Sequence, residues 1–206
     1  MRTTSLTIAL LAGIVALGGT MARAQDKSSS PSGSQGSTTD LAAFYSTEQG
    51  QITPSGAGSF WMQGASIDGA MTFHRGFGFA LNLTGEHASR IAPGVGLNEV
   101  DFAVGPRYTF RFKSNSKHES RVFGEALVGG ARGMSSVFPK STGLDTHASS
   151  FLYQVGGGWD IAITKHIAIR AVEADYVRSY LPNNGGDTQG RIRLGFGVVY
   201  HSQKTQ

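Results

Sequence analysis

The feature that most constrains this chain is a two-residue alternation of apolar and polar side chains that recurs from about residue 40 to residue 200. Successive side chains of an extended strand point to opposite faces, so this period describes strands with one apolar and one polar side. It is clearest in Val100 to Phe112. There Val100, Phe102, Val104, Tyr108, Phe110 and Phe112 share one face, and Asp101, Ala103, Gly105, Arg107, Thr109 and Arg111 share the other. Phe77, Phe79, Leu81 and Leu83 likewise oppose Gly78, Ala80, Asn82, Thr84 and Glu86. Ile192, Leu194, Phe196, Val198 and Tyr200 oppose Arg191, Arg193, Gly195 and Gly197. Within Phe151 to Ile163, Tyr153, Val155, Trp159 and Ile161 oppose Gln154, Gly156, Gly158, Asp160 and Ala162.

Phe60 to Phe73 and Arg121 to Ala131 follow the pattern more loosely. In Ile167 to Tyr180, Glu173 and Asp175 are opposed by Val172, Ala174 and Tyr176, but Ile167 and Ile169 carry the wrong parity, which a bulge near Arg170 repairs. Leu41 to about Ile52 adds a weaker strand through Leu41, Ala43 and Tyr45, making eight. Short links (His74 to Gly76, Ser114 to Ser120, Thr164 to His166) alternate with mostly longer ones (Thr53 to Ser59, Ser89 to Asn98, Arg132 to Thr146, Pro182 to Gln189). Bacterial outer-membrane barrels alternate short periplasmic turns with longer outer loops in this way. The expected fold is therefore all-β, an eight-stranded antiparallel up-and-down transmembrane β-barrel.

Arg2, the apolar stretch Ile8 to Leu17 and the Ala22-Arg23-Ala24 pattern make residues 1–24 a secretory signal peptide. That apolar stretch is too short to cross a bilayer as a helix. Residues 25–39, rich in Ser and Gly, read as a disordered lead, residues 40–201 as the barrel and 202–206 as a polar tail. With no cysteine there are no disulfides, thiolate metal sites or acylated cysteine anchor. Without the signal peptide, 16 basic residues stand against 14 acidic ones, a balance that does not point to nucleic acid. The 29 glycines lie inside alternating segments as well as between them, which suits a small and strongly curved barrel.

Period two alone does not say which face is inside. The apolar side carries large aromatics near strand ends (Tyr108, Phe110, Phe112, Tyr153, Trp159, Tyr200), and the other side is small or charged. An apolar side facing lipid turns Asp68, Glu86, Asp101, Glu125, Asp160, Glu173 and Asp175 inward with Arg107, Arg111, Arg191 and Arg193. Buried charges of both signs are tolerated when paired, so a lumen charge network is expected from Arg107, Arg111, Glu125, Asp160, Glu173, Asp175, Arg191 and Arg193. An eight-stranded interior is only just wide enough for side chains, which leaves no room for a wide pore.

In "VGPRYTFRF" from Val104, "FGEALVGGARG" from Phe123, "VGGGWDIAITKHIAIRAVEADYV" from Val155 and "RIRLGFGVVY" from Arg191, the chain resembles the bacterial outer-membrane β-barrel domain family, relatives of the small OmpA and OmpX type barrels. The resemblance covers roughly residues 40 to 201 and implies an outer-membrane location, contact with outer-membrane lipid and lipopolysaccharide, insertion by the barrel assembly machinery and a monomer. It departs from the family type in the polar tail that follows Tyr200. No cofactor or catalytic set is expected. The leading functional expectation is a non-enzymatic structural or surface-interaction protein acting through its outer loops, with Val137 to Thr146 the most prominent. A narrow porin or channel is the alternative, followed by a lipid-modifying barrel enzyme and a soluble ligand-binding barrel.

The enzyme reading rests on His87-Ala88-Ser89 and His147-Ala148-Ser149, whose spacing puts His and Ser on one strand face. Lipid A deacylases use His and Ser with an acidic orienter, and no carboxylate is placed in sequence to complete either set. His74, His118 and His166 fall in expected turns without metal-ligand spacing.

Overall fold

In the last strand it is the charged side of the alternation that is buried: Arg191 and Arg193 are each 1% exposed, whereas Ile192 and Phe196 are 56% and 61% exposed. A barrel adapted to water has the opposite arrangement. A computed structural model describes residues 37–52, 58–92, 94–113, 119–140, 143–182 and 188–203. The signal peptide, and the lead as far as residue 36, lie outside them.

Eight strands run in chain order: β1 (Thr38–Ile52), β2 (Gly58–His74), β3 (Phe77–Ala92), β4 (Val95–Lys113), β5 (Glu119–Lys140), β6 (Gly143–Ala162), β7 (Ile167–Ser179) and β8 (Gln189–Gln203). Each pairs antiparallel with its neighbours in sequence, and β1 pairs with β8 to close the barrel. Closure leaves no free strand edge, the condition for backbone to sit in hydrocarbon. β1 had the weakest sequence signal, yet it makes the seam, from Thr38 opposite Gln203 to Gln49 opposite Ile192. Its polar inward positions, Ser46 and Glu48, are fully buried.

Local chemistry explains the irregular points. The β2 to β3 hairpin turns on Arg75 and Gly76, both with positive φ (49° and 91°), as a tight turn matched to strand twist requires. Gly76 also accepts a 2.8 Å hydrogen bond from the Thr109 amide, and a Cβ there would lie 2.4 Å from the Thr109 carbonyl oxygen. In β7 the register slips: Trp159 faces Val172 while Asp160 faces Arg170. This is the bulge that the parity break at Ile167 and Ile169 calls for, and both isoleucines point outward.

Two expected loops are mostly strand. Ser89 to Asn98 is absorbed into β3 and β4, and Arg132 to Thr146 into β5 and β6. Backbone pairing persists there because hairpin strands continue to satisfy one another after the apolar alternation has ended. The β5 to β6 hairpin runs out to Lys140 opposite Gly143, with an irregularity after Met134 where Ser135 takes a φ of 59° and the buried Phe138 folds back over Gly133. β4, β5 and β6 have 19, 22 and 20 residues, against the roughly 9–11 a tilted strand needs to cross a bilayer.

The interior is layered. Read inward from the end that carries the long hairpins, β4 presents Leu97, then Glu99, Asp101, Ala103 and Arg107. An apolar cap that includes Leu97 and Phe138 lies above the charges, its cluster reaching down beside them through Met62, opposite Glu48, and Val177, opposite Arg191; a smaller apolar group of Ala42, Phe44, Ala168 and Val199 packs at the other end, with the Phe44 ring 5.4 Å from the Arg170 guanidinium carbon.

Candidate functional site in the barrel lumen

Inward positions on all eight strands bring the charged residues together in two layers. In the layer nearer the apolar cap, Arg191 meets Glu48 at 2.7 Å and Glu99 at 2.5 Å. Arg193 meets Asp101 at 2.5 Å, Glu48 at 2.9 Å and Glu86 at 3.5 Å. Neighbours two apart on β8 thus clamp carboxylates from β1, β3 and β4. Each of these side chains is almost completely removed from solvent. Ion pairs in such surroundings are strong only when the whole set is present, because any single group left alone keeps its desolvation cost.

The second layer is built on Arg107 and Arg170. Arg107 binds Asp68 at 2.5 Å and pairs with Glu125. Arg170 binds Asp68 at 2.7 Å and Asp160 at 2.9 Å, and pairs with Glu173. Asp68 is thus shared between two arginines that lie 63 positions apart in sequence. Both pack against the Phe123 ring, with the guanidinium carbons of Arg107 and Arg170 4.1 Å and 4.5 Å from its centroid. Gln154 links the layers: its amide nitrogen donates to Glu125 at 3.4 Å and its oxygen accepts from Arg193 at 3.4 Å.

Of the residues expected in a lumen network, Arg107, Glu125, Asp160, Glu173, Arg191 and Arg193 take part in these contacts. Asp175 lies in the lumen, 2% exposed, but both of its oxygens lack a hydrogen-bond donor. Arg111 is a correction: it is exposed and donates to Thr38 Oγ1 at 2.7 Å. It keeps the inward parity of Arg107 but sits four residues further along β4, at the barrel mouth rather than among the charges. Glu48, Glu99 and Arg170 belong to the network and were missed. Glu48 lay in the weak first strand, Glu99 just before the recognised start of β4, and Arg170 at the parity break. Reading Arg170 with the bulge it was assigned would have turned it inward.

A third group closes the short-turn end. His201 Nδ1 is 2.7 Å from Asp40 and 3.0 Å from Arg121, and Arg121 is 3.0 Å from Glu119.

The two His-x-Ser pairs lie on the outside near the long hairpins. His87 Nδ1 is 2.7 Å from Asn98 Oδ1, and His87 Nε2 is 3.4 Å from Ser89 Oγ. His147 does have a carboxylate beside it, Asp145 at 3.1 Å, which sequence order alone did not suggest.

No family model matches the sequence, and no curated protein matches it closely enough to count as a relative. Solved structures do resemble it. The crystal structure of neisserial surface protein A superposes with a TM-score of 0.50 at 16% identity, over 82% of this chain and 99% of that one. Ail, the attachment invasion locus protein of Yersinia pestis, gives 0.49 at 13% identity, over 81% and 99%. The N-terminal β-barrel domain of Pseudomonas aeruginosa OprF gives 0.39 at 15% identity, over 82% and 100%. At these identities the likeness is one of fold, that of the small eight-stranded outer-membrane barrels.

Proposed function

We propose that the chain spans the bacterial outer membrane as a closed, non-enzymatic barrel and works through the hairpins it presents outside. The observation that carries this reading is the inversion of the two faces. Phe77, Phe79, Phe102, Phe110, Phe151, Ile192 and Phe196 point outward while glutamates, aspartates and arginines fill the interior. In water each such side chain forgoes roughly 1.5–3 kcal/mol of burial, and so large a contiguous apolar surface is foreign to soluble monomers. In lipid the same surface is at rest. Aromatic contacts such as Phe77 with Tyr108 and Tyr108 with Phe110, near the short-turn end, and Phe151 with Tyr180, toward the other, fit interfacial belts at two depths.

The ion-paired layers and the apolar cap above them argue against a conducting lumen. Among the described residues, the surface then left for function is the pair of extended hairpins, β3 with β4 and β5 with β6. The latter exposes Val137 and Leu144, at 50% and 76%. Outward-facing Arg132 and Arg178, just above the apolar band, suit the phosphates of lipopolysaccharide. The test is fractionation of the chain expressed from its full sequence, with gels run before and after boiling. Outer-membrane recovery with faster unheated migration supports the reading, and steady single-channel current in planar bilayers would replace it with the channel alternative.

The run from Asn98 through His87 to Ser89 favours one second reading, acyl transfer on an outer-leaflet lipid. Asn98 holds the ring tautomer that turns Nε2 toward the serine hydroxyl. Mass analysis of lipids from cells expressing the chain decides it: deacylated lipid that disappears with Ser89→Ala would establish the enzyme, and unaltered lipid retires it.

A further inference from the structure

We propose that Glu125, Glu173 and Asp175 form a calcium site inside the barrel. Their carboxylates come from β5 and β7 and converge beneath a gap in β6. Glu125 and Asp175 both lie opposite Gly156, which has no side chain to separate them. A Cβ on Gly156 would sit 2.0 Å from Asp175 Oδ1, so the glycine makes the room that the carboxylate occupies. One oxygen from each of the three acids lies within 4.8 Å of the others, and all three residues are buried.

Two independent observations turn this acidic cluster into a site. First, donors are arranged so that ligating oxygens remain free. Arg107 takes Glu125 Oε2 and Arg170 takes Glu173 Oε2, which orients both side chains, while Glu173 Oε1 and both oxygens of Asp175 lack any hydrogen-bond partner. A buried carboxylate with no donor is costly unless something positive faces it. Second, the layer has too much negative charge for its cations. Asp68, Glu125, Asp160, Glu173 and Asp175 share Arg107 and Arg170, and Arg193, which faces Asp175 from β8, is already held by Glu48, Glu86 and Asp101, so negative charge is in excess. A divalent ion removes most of that excess.

The ligand atoms are all hard oxygens, which selects calcium or magnesium over softer metals. Burial of all three acids favours calcium, because magnesium dehydrates reluctantly, usually keeps several waters and demands near-ideal octahedral geometry. The inference rests on the barrel interior and is independent of what the outer hairpins contact.

The experiment folds the mature chain from urea into detergent free of lipopolysaccharide, with calcium, with magnesium or with chelator, and measures bound metal after desalting. The expected result is about one calcium per folded chain, with unfolding midpoints higher in calcium than in magnesium or chelator. Asp175→Asn and Glu173→Gln should each lower calcium affinity at least about tenfold and remove that dependence, whereas Glu119→Gln at the mouth should keep both. Heat-modifiable migration reports that each variant is folded. Wild-type barrel folded in calcium but carrying none would overturn the site and leave protons as the neutralising species. Undiminished binding by folded Asp175→Asn would overturn it equally. A variant that does not fold leaves the wild-type stoichiometry to decide.

Discussion

The layer around Arg191 and Arg193 and the layer around Arg107 and Arg170 are built from the same groups on the same lumen wall, yet they are finished differently. In the first, Glu48, Glu86, Glu99 and Asp101 each reach a guanidinium. In the second, Asp68 occupies both arginines at once, both guanidiniums pack against one aromatic ring, and Asp175 has no ion pair of its own and accepts no hydrogen bond. A layer in which every carboxylate has an arginine within 3.5 Å makes a structural plug. Incomplete pairing leaves coordination capacity, and that is where ligand chemistry has room.

The contrast can be broken by substitution, with stability read from urea unfolding into detergent. The largest effect belongs to Arg191→Met, which leaves Glu48 short of a partner and Glu99 buried without its cation, and should cost about 3–5 kcal/mol. Arg107→Ala should fall toward the low end of that range because Asp68 retains Arg170. A larger loss for Arg107→Ala than for Arg191→Met would reverse the ranking of the layers. Gly156→Ala comes next, at about 1–3 kcal/mol, since its methyl group would also lie 2.4 Å from the Ala174 carbonyl oxygen. Gly69→Ala, with nothing within 4 Å of the new methyl, is the matched control and should fall within about 0.5 kcal/mol of wild type. Phe123→Leu keeps apolar bulk but removes the ring against which both arginines pack, and should cost about 1–2 kcal/mol in the second layer alone. Arg111→Ala at the mouth should change stability by no more than about 0.5 kcal/mol, and a midpoint equal to that of Arg107→Ala would dissolve the distinction between lumen and rim.

Much of this was legible in the residues. Alternation in Val100 to Phe112 and in Ile192 to Tyr200 assigns every side chain in those strands to a face, because the period of a strand admits only two choices. The parity break at Ile167 and Ile169 located a bulge for the same reason. Arg111 shows where parity stops being informative: it says which way a side chain points, not how far along the barrel axis it sits. Arg170 and Glu99 show the complementary failure, inward residues hidden by a register slip and by a strand that outlasts its apolar pattern. The hairpin extensions of β3 to β6 left little trace, since their pairing is backbone to backbone.

The order of eight strands, the inversion of their faces and the pool of charges destined for the interior therefore follow from local chemistry, from side-chain period and composition read one strand at a time. Which charges meet does not. Arg191 finds Glu99 at a separation of 92 residues and Arg170 finds Asp68 at 102. Those partnerships depend on barrel closure and strand stagger, which align positions across the lumen that no stretch of chain brings near one another. The same closure sets Glu125, Gly156 and Asp175 in one row, and so leaves a carboxylate in the interior without a donor.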